Sequence, residues 1–154
     1  MISVRRLSPT LVRSLFLGAL LSGMVRSVQA AEEIPGPVDA VILKVVDGDT
    51  VRVSARIWLN QTVETLVRLK GIDTPELKGT CPQEKDLAIQ AKALAITSLP
   101  EGATVQLTEI EPDKYGGRVV ARLLTPQGQD LSQVLIMAGL AHPYDGGRKS
   151  PWCP

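Results

Sequence analysis

Residues 47–76 begin with Asp47-Gly48-Asp49-Thr50 and end with RLKGIDTPE at positions 68–76, and the rest of the chain can be placed around this stretch. Between the two acidic segments, Thr50 to Trp58 and Thr62 to Lys70 are rich in β-branched residues, which predicts two strands. A hairpin with its apex at Leu59-Asn60-Gln61 would bring the acidic segments together. Carboxylates beside an arginine are typical of a site for a hard metal ion and an anionic ligand.

The spacing of Arg68 and Asp73 requires a break in the second of these strands. In an unbroken strand, residues five positions apart point to opposite faces of the sheet. Gly71 lies between the two residues and is a suitable position for a β-bulge, which would reset the alternation. We therefore expect the side chains of Arg68 and Asp73 to reach the same site.

The rest of the chain supplies the other elements of a small barrel. Hydrophobic periodicity and turn residues predict one earlier strand, a helix, two later strands and a second, short helix. These segments are Ala40 to Val46, Pro82 to Leu99, Ala103 to Ile110, Arg118 to Thr125, and the residues from the N-cap Asp130 to Ala138. Five strands with a helix between the third and the fourth predict a five-stranded OB-fold barrel, a mainly β fold of the α+β class. A small mixed α+β sheet is the alternative.

Residues 1–30 are predicted to be a signal peptide. The segment begins with basic residues, and Leu15 to Val25 is an apolar run of about eleven residues, too short for a bilayer that needs about 20. Val28-Gln29-Ala30 fits the small-x-small cleavage rule. We expect cleavage near Ala30 and an exported protein, periplasmic or secreted, with no transmembrane segment in the mature chain. An uncleaved membrane anchor is the alternative.

The mature chain is expected to form one domain at residues 40–142, after a lead-in at 31–39 and before a tail at 143–154. The leader carries four of the 17 basic residues and none of the 16 acidic residues, which leaves 13 against 16 and a net charge of −3. Proteins that hold nucleic acid by bulk electrostatics are normally basic. Any binding of a polyanion must therefore come from a local cluster of cations.

The two cysteines, Cys81 and Cys153, are predicted to form a disulfide. Their wide separation does not fit a zinc site, which needs closely spaced ligand pairs. In an exported chain, two cysteines favour one bridge, and it would tether the tail to the domain. Two unpaired thiols are the alternative.

Three motifs, taken in order, resemble those of the staphylococcal nuclease (thermonuclease) family. They are Asp47-Gly48-Asp49-Thr50, then Arg68 with Asp73-Thr74-Pro75-Glu76, then Asp113-Lys114-Tyr115-Gly116. Asp-Gly alone is a common hairpin turn, but a turn does not predict the ordered set. The resemblance implies an exported bacterial protein with an SNase-like OB fold. It further implies a calcium-dependent phosphodiesterase, endonuclease or exonuclease, that hydrolyses DNA and RNA by in-line attack of water.

The resemblance also assigns a metal site. It implies that Asp49 and Asp73 bind calcium (Ca2+) through their carboxylates, together with the backbone carbonyl of Thr74. Calcium takes oxygen ligands and tolerates irregular geometry, which suits this set. Glu76 would lie beside the metal and hold or deprotonate the attacking water, for which it must be within hydrogen-bond reach.

The phosphate-binding residues follow from the same resemblance. Arg68 and Arg118 would bind the scissile phosphate, because guanidinium groups match phosphate oxygens in pairs. Lys114 and Tyr115 would contact a neighbouring phosphate. The chain departs from the family pattern by an extra glycine, Gly117, directly before Arg118. It also has a short tail where a C-terminal helix is expected, and an acidic net charge where the staphylococcal enzyme is basic.

A non-catalytic OB-fold module that binds nucleic acid or another polyanion, such as an envelope polysaccharide, is the main alternative. The presence of Asp49, Asp73, Glu76 and Arg68 together favours the enzyme. We expect DNA and RNA as substrates, a monomer, and no stable protein partner.

Overall fold

A computed structural model describes residues 32–154, so the predicted signal peptide lies outside the described residues. No helix within residues 32–154 has the length and apolar character needed to span a membrane. The described residues form seven strands and two helices. In chain order these are β1 (Val38–Val45), β2 (Thr50–Trp58), β3 (Gln61–Leu69), β4 (Ile72–Asp73), α1 (Pro82–Ser98), β5 (Thr104–Pro112), β6 (Arg118–Leu124), α2 (Leu131–Met137) and β7 (His142–Pro143).

Five of the strands close into a barrel in the order β1-β2-β3-β6-β5, and β5 pairs again with β1. The β3–β6 pair is parallel and the other pairs are antiparallel. The alternation of β2 shows why it forms a barrel wall, since Val51, Val53 and Ala55 are buried while Arg52 and Arg56 are exposed. The predicted OB-type barrel with a helix after the third of its strands is confirmed, and the closed sheet replaces the open-sheet alternative.

Helix α1 packs closely on the barrel because its buried face is made of small side chains. Ala88, Ala91 and Ala95 are buried in α1, and Leu87 and Leu94 pack against the core from its flanks. Small residues at a contact allow the backbone of a helix to approach the sheet.

Helix α2 begins and ends as predicted. The Asp130 carboxylate accepts a hydrogen bond of 2.8 Å from Ser132 N, which caps the first turn. Gly139 adopts a φ of 71° just after the helix, a conformation that glycine takes without strain.

The strand boundaries differ from the prediction where long-range pairing extends or shortens them. Strand β1 begins at Val38, before the predicted Ala40, because Val38 and Asp39 pair with β5. Ile34, in the predicted lead-in, also forms a bridge with Ile110. Strand β3 ends at Leu69, and Lys70 enters a turn instead of the strand.

The start of the predicted tail is paired into a short strand. Strand β7 pairs antiparallel with β4, in the register Ile72 with Pro143 and Asp73 with His142. Tyr144 N then donates a hydrogen bond of 2.9 Å to Gly71 O. The start of the tail is therefore fixed beside the segment that carries Asp73.

Candidate functional site

Asp49 is positioned by the turn that joins β1 to β2. Its backbone N donates to Asp47 Oδ1 at 3.2 Å, and its backbone O accepts from Leu69 N at 2.8 Å. Gly48 lies beneath α1, where an added Cβ would come within 2.9 Å of Ala91 Cβ and 3.1 Å of Thr74 Oγ1. The Asp-Gly turn therefore needs glycine for space, and it directs a buried Asp49 carboxylate into the barrel mouth.

Arg68 joins the two acidic segments at this mouth. It pairs in register with Thr50 on β2, and its Nη1 donates to Asp49 Oδ1 at 3.0 Å. Its Nη2 lies 3.6 Å from Asp73 Oδ1. The side chain is only 18% exposed, so the three charged groups share a partly dehydrated site.

Asp73 reaches this site because the chain turns sharply after β3. Lys70 N donates to Ala121 O at 2.9 Å, and Gly71 follows with a φ of 81°. The break that the sequence predicted at Gly71 is thus a tight turn leading into β4, not a bulge within β3. The turn nevertheless has the predicted effect, because the side chains of Arg68 and Asp73 reach the same site.

The electrostatics of the site favour positive charge beside its two buried carboxylates. Burial raises the pKa of Asp49, the guanidinium of Arg68 opposes this, and nearby Asp47 raises the pKa further, with a net increase. Asp73 is 2% exposed, and its Oδ1 lies 3.6 Å from Arg68 Nη2 and 2.7 Å from Lys149 Nζ. Two adjacent buried carboxylates whose oxygens face cationic groups fit a hard cation.

Glu76 projects from the rim of the site, with its side chain 60% exposed. Its backbone is held by Glu84, whose carboxylate accepts from Glu76 N at 3.3 Å and from Thr80 N at 3.1 Å. The missing side chain of Gly79 leaves the space that Glu84 occupies. No sequence pattern identified Glu84 as a positioning residue, and the available signal was an acidic residue in the first turn of α1.

Arg118 lies beside the site but does not contact its carboxylates. It pairs with Leu66 on the parallel strand β3, two positions before Arg68, and its Nε donates to Asp113 Oδ2 at 2.8 Å. The Arg118 guanidinium and Lys114 Nζ lie 5.2 Å and 5.0 Å from the ring centroid of Tyr115. Of the predicted phosphate-binding residues, Arg118 and Lys114 therefore form a separate cluster around the exposed Tyr115, whereas Arg68 lies at the acidic site.

The extra glycine before Arg118 lies in the turn between β5 and β6. Gly116 and Gly117 have φ values of 68° and 66°, and both positions have open space around them. Burial raises the pKa of Asp113, but the amide of Tyr115 and the guanidinium of Arg118 outweigh this effect and lower it. Asp113 is thus the anchor of the Arg118 side chain.

The tail contributes two residues that the sequence analysis did not assign to the site. Lys149 Nζ lies 2.7 Å from Asp73 Oδ1 and 3.2 Å from Glu76 Oε1. Burial would lower the pKa of Lys149, but the two carboxylates raise it above its ordinary value. Trp152 Nε1 lies 3.5 Å from Asp73 Oδ2, and its ring stacks on His142 at a centroid distance of 3.8 Å.

The predicted disulfide between Cys81 and Cys153 is present. It links the N-cap residue of α1 to the end of the tail. A cavity of about 290 Å³ lies between the acidic segment and the tail, and its lining includes Asp73, Glu76 and Lys149. The sequence predicted the bridge but gave no pattern from which the position of Lys149 could be found.

Comparison with known proteins agrees with this arrangement. Residues 66–151 match the family described as staphylococcal nuclease homologue. The chain is 29% identical over 113 residues to a protein of Escherichia coli named "Uncharacterized endonuclease", and equally to its counterpart in Escherichia coli O157:H7. Each match covers 73% of this chain and 65% of the relative, so the chain spans slightly less than two thirds of their length. Because the family match covers more than half of a chain that folds as a five-stranded barrel, this chain belongs to the staphylococcal nuclease homologue family.

Proposed function

We propose that this chain is an exported, calcium-dependent nuclease that hydrolyses phosphodiester bonds of DNA and RNA. Membership of the staphylococcal nuclease homologue family supports a nuclease, as do the names of the two Escherichia coli relatives. The observation that carries the proposal is the convergence of Asp49, Arg68 and Asp73 at one end of the barrel. Three charged side chains from separate elements are brought together there at a cost in desolvation, which is typical of a functional site.

Asp49 and Asp73 are the residues that would hold the calcium ion, with the buried Thr74 adding its backbone carbonyl. The buried Asp73 Oδ1 already faces the cationic groups of Arg68 and Lys149, at 3.6 Å and 2.7 Å, which supports this oxygen as a ligand for positive charge. When bound, calcium would neutralise a phosphate oxygen and act as a Lewis acid as charge builds on the phosphate.

The protein residues around this position would bind the phosphate and accept the proton of the attacking water. Arg68 presents its guanidinium at the mouth of the barrel, where it would bind the scissile phosphate. Glu76 is exposed at the rim, so its carboxylate can accept a proton from a water molecule that attacks the phosphorus in line with the leaving oxygen. The bond from phosphorus to the leaving oxygen breaks as the bond to the water oxygen forms, the leaving oxygen takes a proton from solvent, and Glu76 returns its proton to solvent.

Arg118, Lys114 and Tyr115 would extend the site along the nucleic acid. Arg118 lies on β6, which pairs with the strand β3 that carries Arg68, and Lys114 lies over the exposed ring of Tyr115. A phosphate at this position would compete with Asp113 for the Arg118 guanidinium. In this proposal, substrate binding moves Arg118 from Asp113 to the scissile phosphate.

That same ion pair is the observation that favours the alternative, a non-catalytic OB-fold module for nucleic acid or another polyanion. In the described residues, Arg118 is engaged by Asp113 and not by the acidic site, so one of the two expected phosphate ligands is not yet in place. A binding module would retain affinity for single-stranded DNA while hydrolysing none.

The test is hydrolysis of single-stranded DNA and of RNA by residues 31–154, in calcium and in a chelator, by the unaltered chain and by Glu76→Gln. We expect hydrolysis that depends on calcium and falls by about 10²–10³ in Glu76→Gln. Activity that is equal in all four conditions would refute the mechanism. Binding without hydrolysis would establish the non-catalytic module.

Export and oligomeric state have their own supports and measurements. The disulfide favours an oxidising compartment, so we propose a periplasmic or secreted protein, with cleavage of the leader near Ala30. We also propose that the protein is a monomer. N-terminal sequencing of the protein recovered outside the cytoplasm would identify the first mature residue. Light scattering would give the mass of the particle.

A further inference from the structure

The tail places a second cation on the carboxylates of the proposed metal site. Lys149 Nζ lies 2.7 Å from Asp73 Oδ1, and Arg68 Nη2 lies 3.6 Å from the same oxygen. Lys149 Nζ also lies 3.2 Å from Glu76 Oε1, so it bridges the proposed metal ligand and the proposed base. Neither contact follows from any motif of the family resemblance.

Lys149 is held in this position by attachments on both sides of it along the chain. Before it, His142 pairs with Asp73 in the β4–β7 ladder. After it, Trp152 stacks on His142, and Cys153 is bonded to Cys81 at the start of α1. Loop closure by these attachments keeps the ammonium near Asp73 at a high effective concentration.

We propose that Lys149 is a tethered competitor of the metal ion, so that the tail sets the metal affinity of the site. The inference rests on the proposed function only in placing the metal at Asp49 and Asp73. Two positive ions cannot share Asp73 Oδ1 without strong repulsion, because the surroundings of this atom are buried. A metal ion therefore binds only when the ammonium withdraws.

The Lys149 side chain is able to make this movement. It is 47% exposed, whereas Asp73 is 3% exposed, so the ammonium has a path to solvent and the carboxylate does not. The four-carbon stem of lysine allows the charged group to swing away while the backbone of the tail stays attached. The disulfide then determines how far the ammonium can leave, which makes the metal affinity depend on the redox state of Cys81 and Cys153.

The test is the binding of calcium chloride by isothermal titration calorimetry, with the folded state of each variant checked by circular dichroism. We expect Lys149→Ala to bind calcium about three- to tenfold more tightly than the unaltered chain, as removal of a partly exposed ion pair implies. The matched control is Arg148→Ala, which removes a positive charge one position away. Arg148 is exposed and forms no ion pair with the described residues, so we expect its calcium affinity to change by less than about twofold.

A second variant tests the tether. We expect Cys153→Ser to tighten calcium binding with Lys149 intact, and to give no further gain in a Lys149→Ala background. Calcium affinity in Lys149→Ala equal to or weaker than that of Arg148→Ala overturns the proposal, and so does absence of calcium binding in every variant. No gain in a folded Cys153→Ser overturns the role of the tether. If Cys153→Ser does not fold, the Lys149→Ala result decides alone.

Hydrolysis of DNA at saturating calcium, measured on the same samples, separates this inference from the proposed function. Tighter binding in Lys149→Ala without hydrolysis by any variant supports the competitor and refutes the nuclease. Hydrolysis with an unchanged calcium affinity in Lys149→Ala refutes the competitor alone.

Discussion

Arg68 donates a hydrogen bond of 3.0 Å to Asp49, a residue 19 positions earlier in the chain and on the other side of the β2–β3 hairpin. The pair fixes the position of a buried carboxylate that would otherwise face Asp73 without compensation. The same guanidinium lies within 3.6 Å of Asp73. Arg68 is therefore structural support for the acidic site as well as the proposed phosphate ligand.

When the Arg68 guanidinium is removed, calcium should restore part of the lost stability but should not restore the lost activity. We expect Arg68→Ala to lower the free energy of unfolding by about 1–3 kcal/mol in chelator, because two buried carboxylates lose their shared cation. Calcium should restore part of this loss, since it supplies positive charge at the same place. Activity should stay about 10²–10³ below that of the unaltered chain even at saturating calcium.

Urea denaturation in chelator and in calcium measures the first effect, and DNA hydrolysis measures the second. Arg52→Ala is the control, because Arg52 is an exposed arginine on the adjacent strand without an ion pair to the described residues. Equal losses of stability in chelator and in calcium would show that Arg68 does not share its carboxylates with the metal.

The barrel and the approach of Arg68 to Asp73 could both be predicted from the sequence, because both depend on local patterns. Alternating burial along β2 and a glycine at position 71 with a φ of 81° are encoded within a few residues. Lys149 depends instead on a bridge across 72 positions and on a two-residue strand pairing. Neither leaves a periodic signal in the tail, so the contact of Lys149 with Asp73 was not predictable.

The partner of Arg118 was missed for a different physical reason. The resemblance placed Arg118 at a phosphate, but without substrate the nearest acceptor for its guanidinium is Asp113, five positions earlier in the same hairpin. Asp113 is buried and also accepts from Tyr115 N at 3.0 Å. A motif specifies which residues gather around a ligand, but it does not specify the ion pairs that those residues form with other parts of the chain.

The Asp113–Arg118 pair should give the chain an acid-sensitive contribution to stability. The pKa of Asp113 is lowered in the folded protein from an ordinary value of 3.8, so folding favours its charged form. This contribution is fully present above the ordinary value of 3.8 and is lost as the pH falls through the lowered folded pKa. Asp113→Asn should therefore be less stable than the unaltered chain at pH 7, and the difference should shrink at lower pH.

Urea denaturation at neutral pH and at about pH 3 measures this difference. Asp86→Asn, an exposed position on α1 without an ion pair to the described residues, is the control. A stability difference between Asp113→Asn and the unaltered chain that stays constant down to pH 3 would show that the Asp113 charge is not involved.

Gly48 provides a test of how tightly the metal-site turn is packed. Its φ lies outside the left-handed range, so Gly48→Ala acts through contacts and not through backbone strain. The added Cβ would lie 2.9 Å from Ala91 Cβ and 3.1 Å from Thr74 Oγ1. We expect a loss of about 1–3 kcal/mol of stability from this overpacking, and a weaker calcium affinity because the crowding displaces the turn that carries Asp49.

The double variant Gly48→Ala with Ala91→Gly removes the closer of these contacts. We expect it to recover most of the calcium affinity, although glycine within α1 costs about 1 kcal/mol of stability by itself. The single variant Ala91→Gly supplies that reference value. Calcium affinity that stays weak in the double variant would place the cause at Thr74 and not at α1.

The disulfide is expected to contribute strongly to stability, since Cys81 and Cys153 are 72 positions apart and the bridge closes a long loop in the unfolded chain. Closure of a loop of this size is worth about 4 kcal/mol in the chain-entropy model. The replacement of both cysteines by serine should lower the free energy of unfolding by about this amount, as measured by urea denaturation. The slope of the denaturation curve should rise, because the unbridged chain unfolds to a more open state. A loss below about 1 kcal/mol would mean that the contacts of Trp152 and Lys149 already restrict the tail without the bridge.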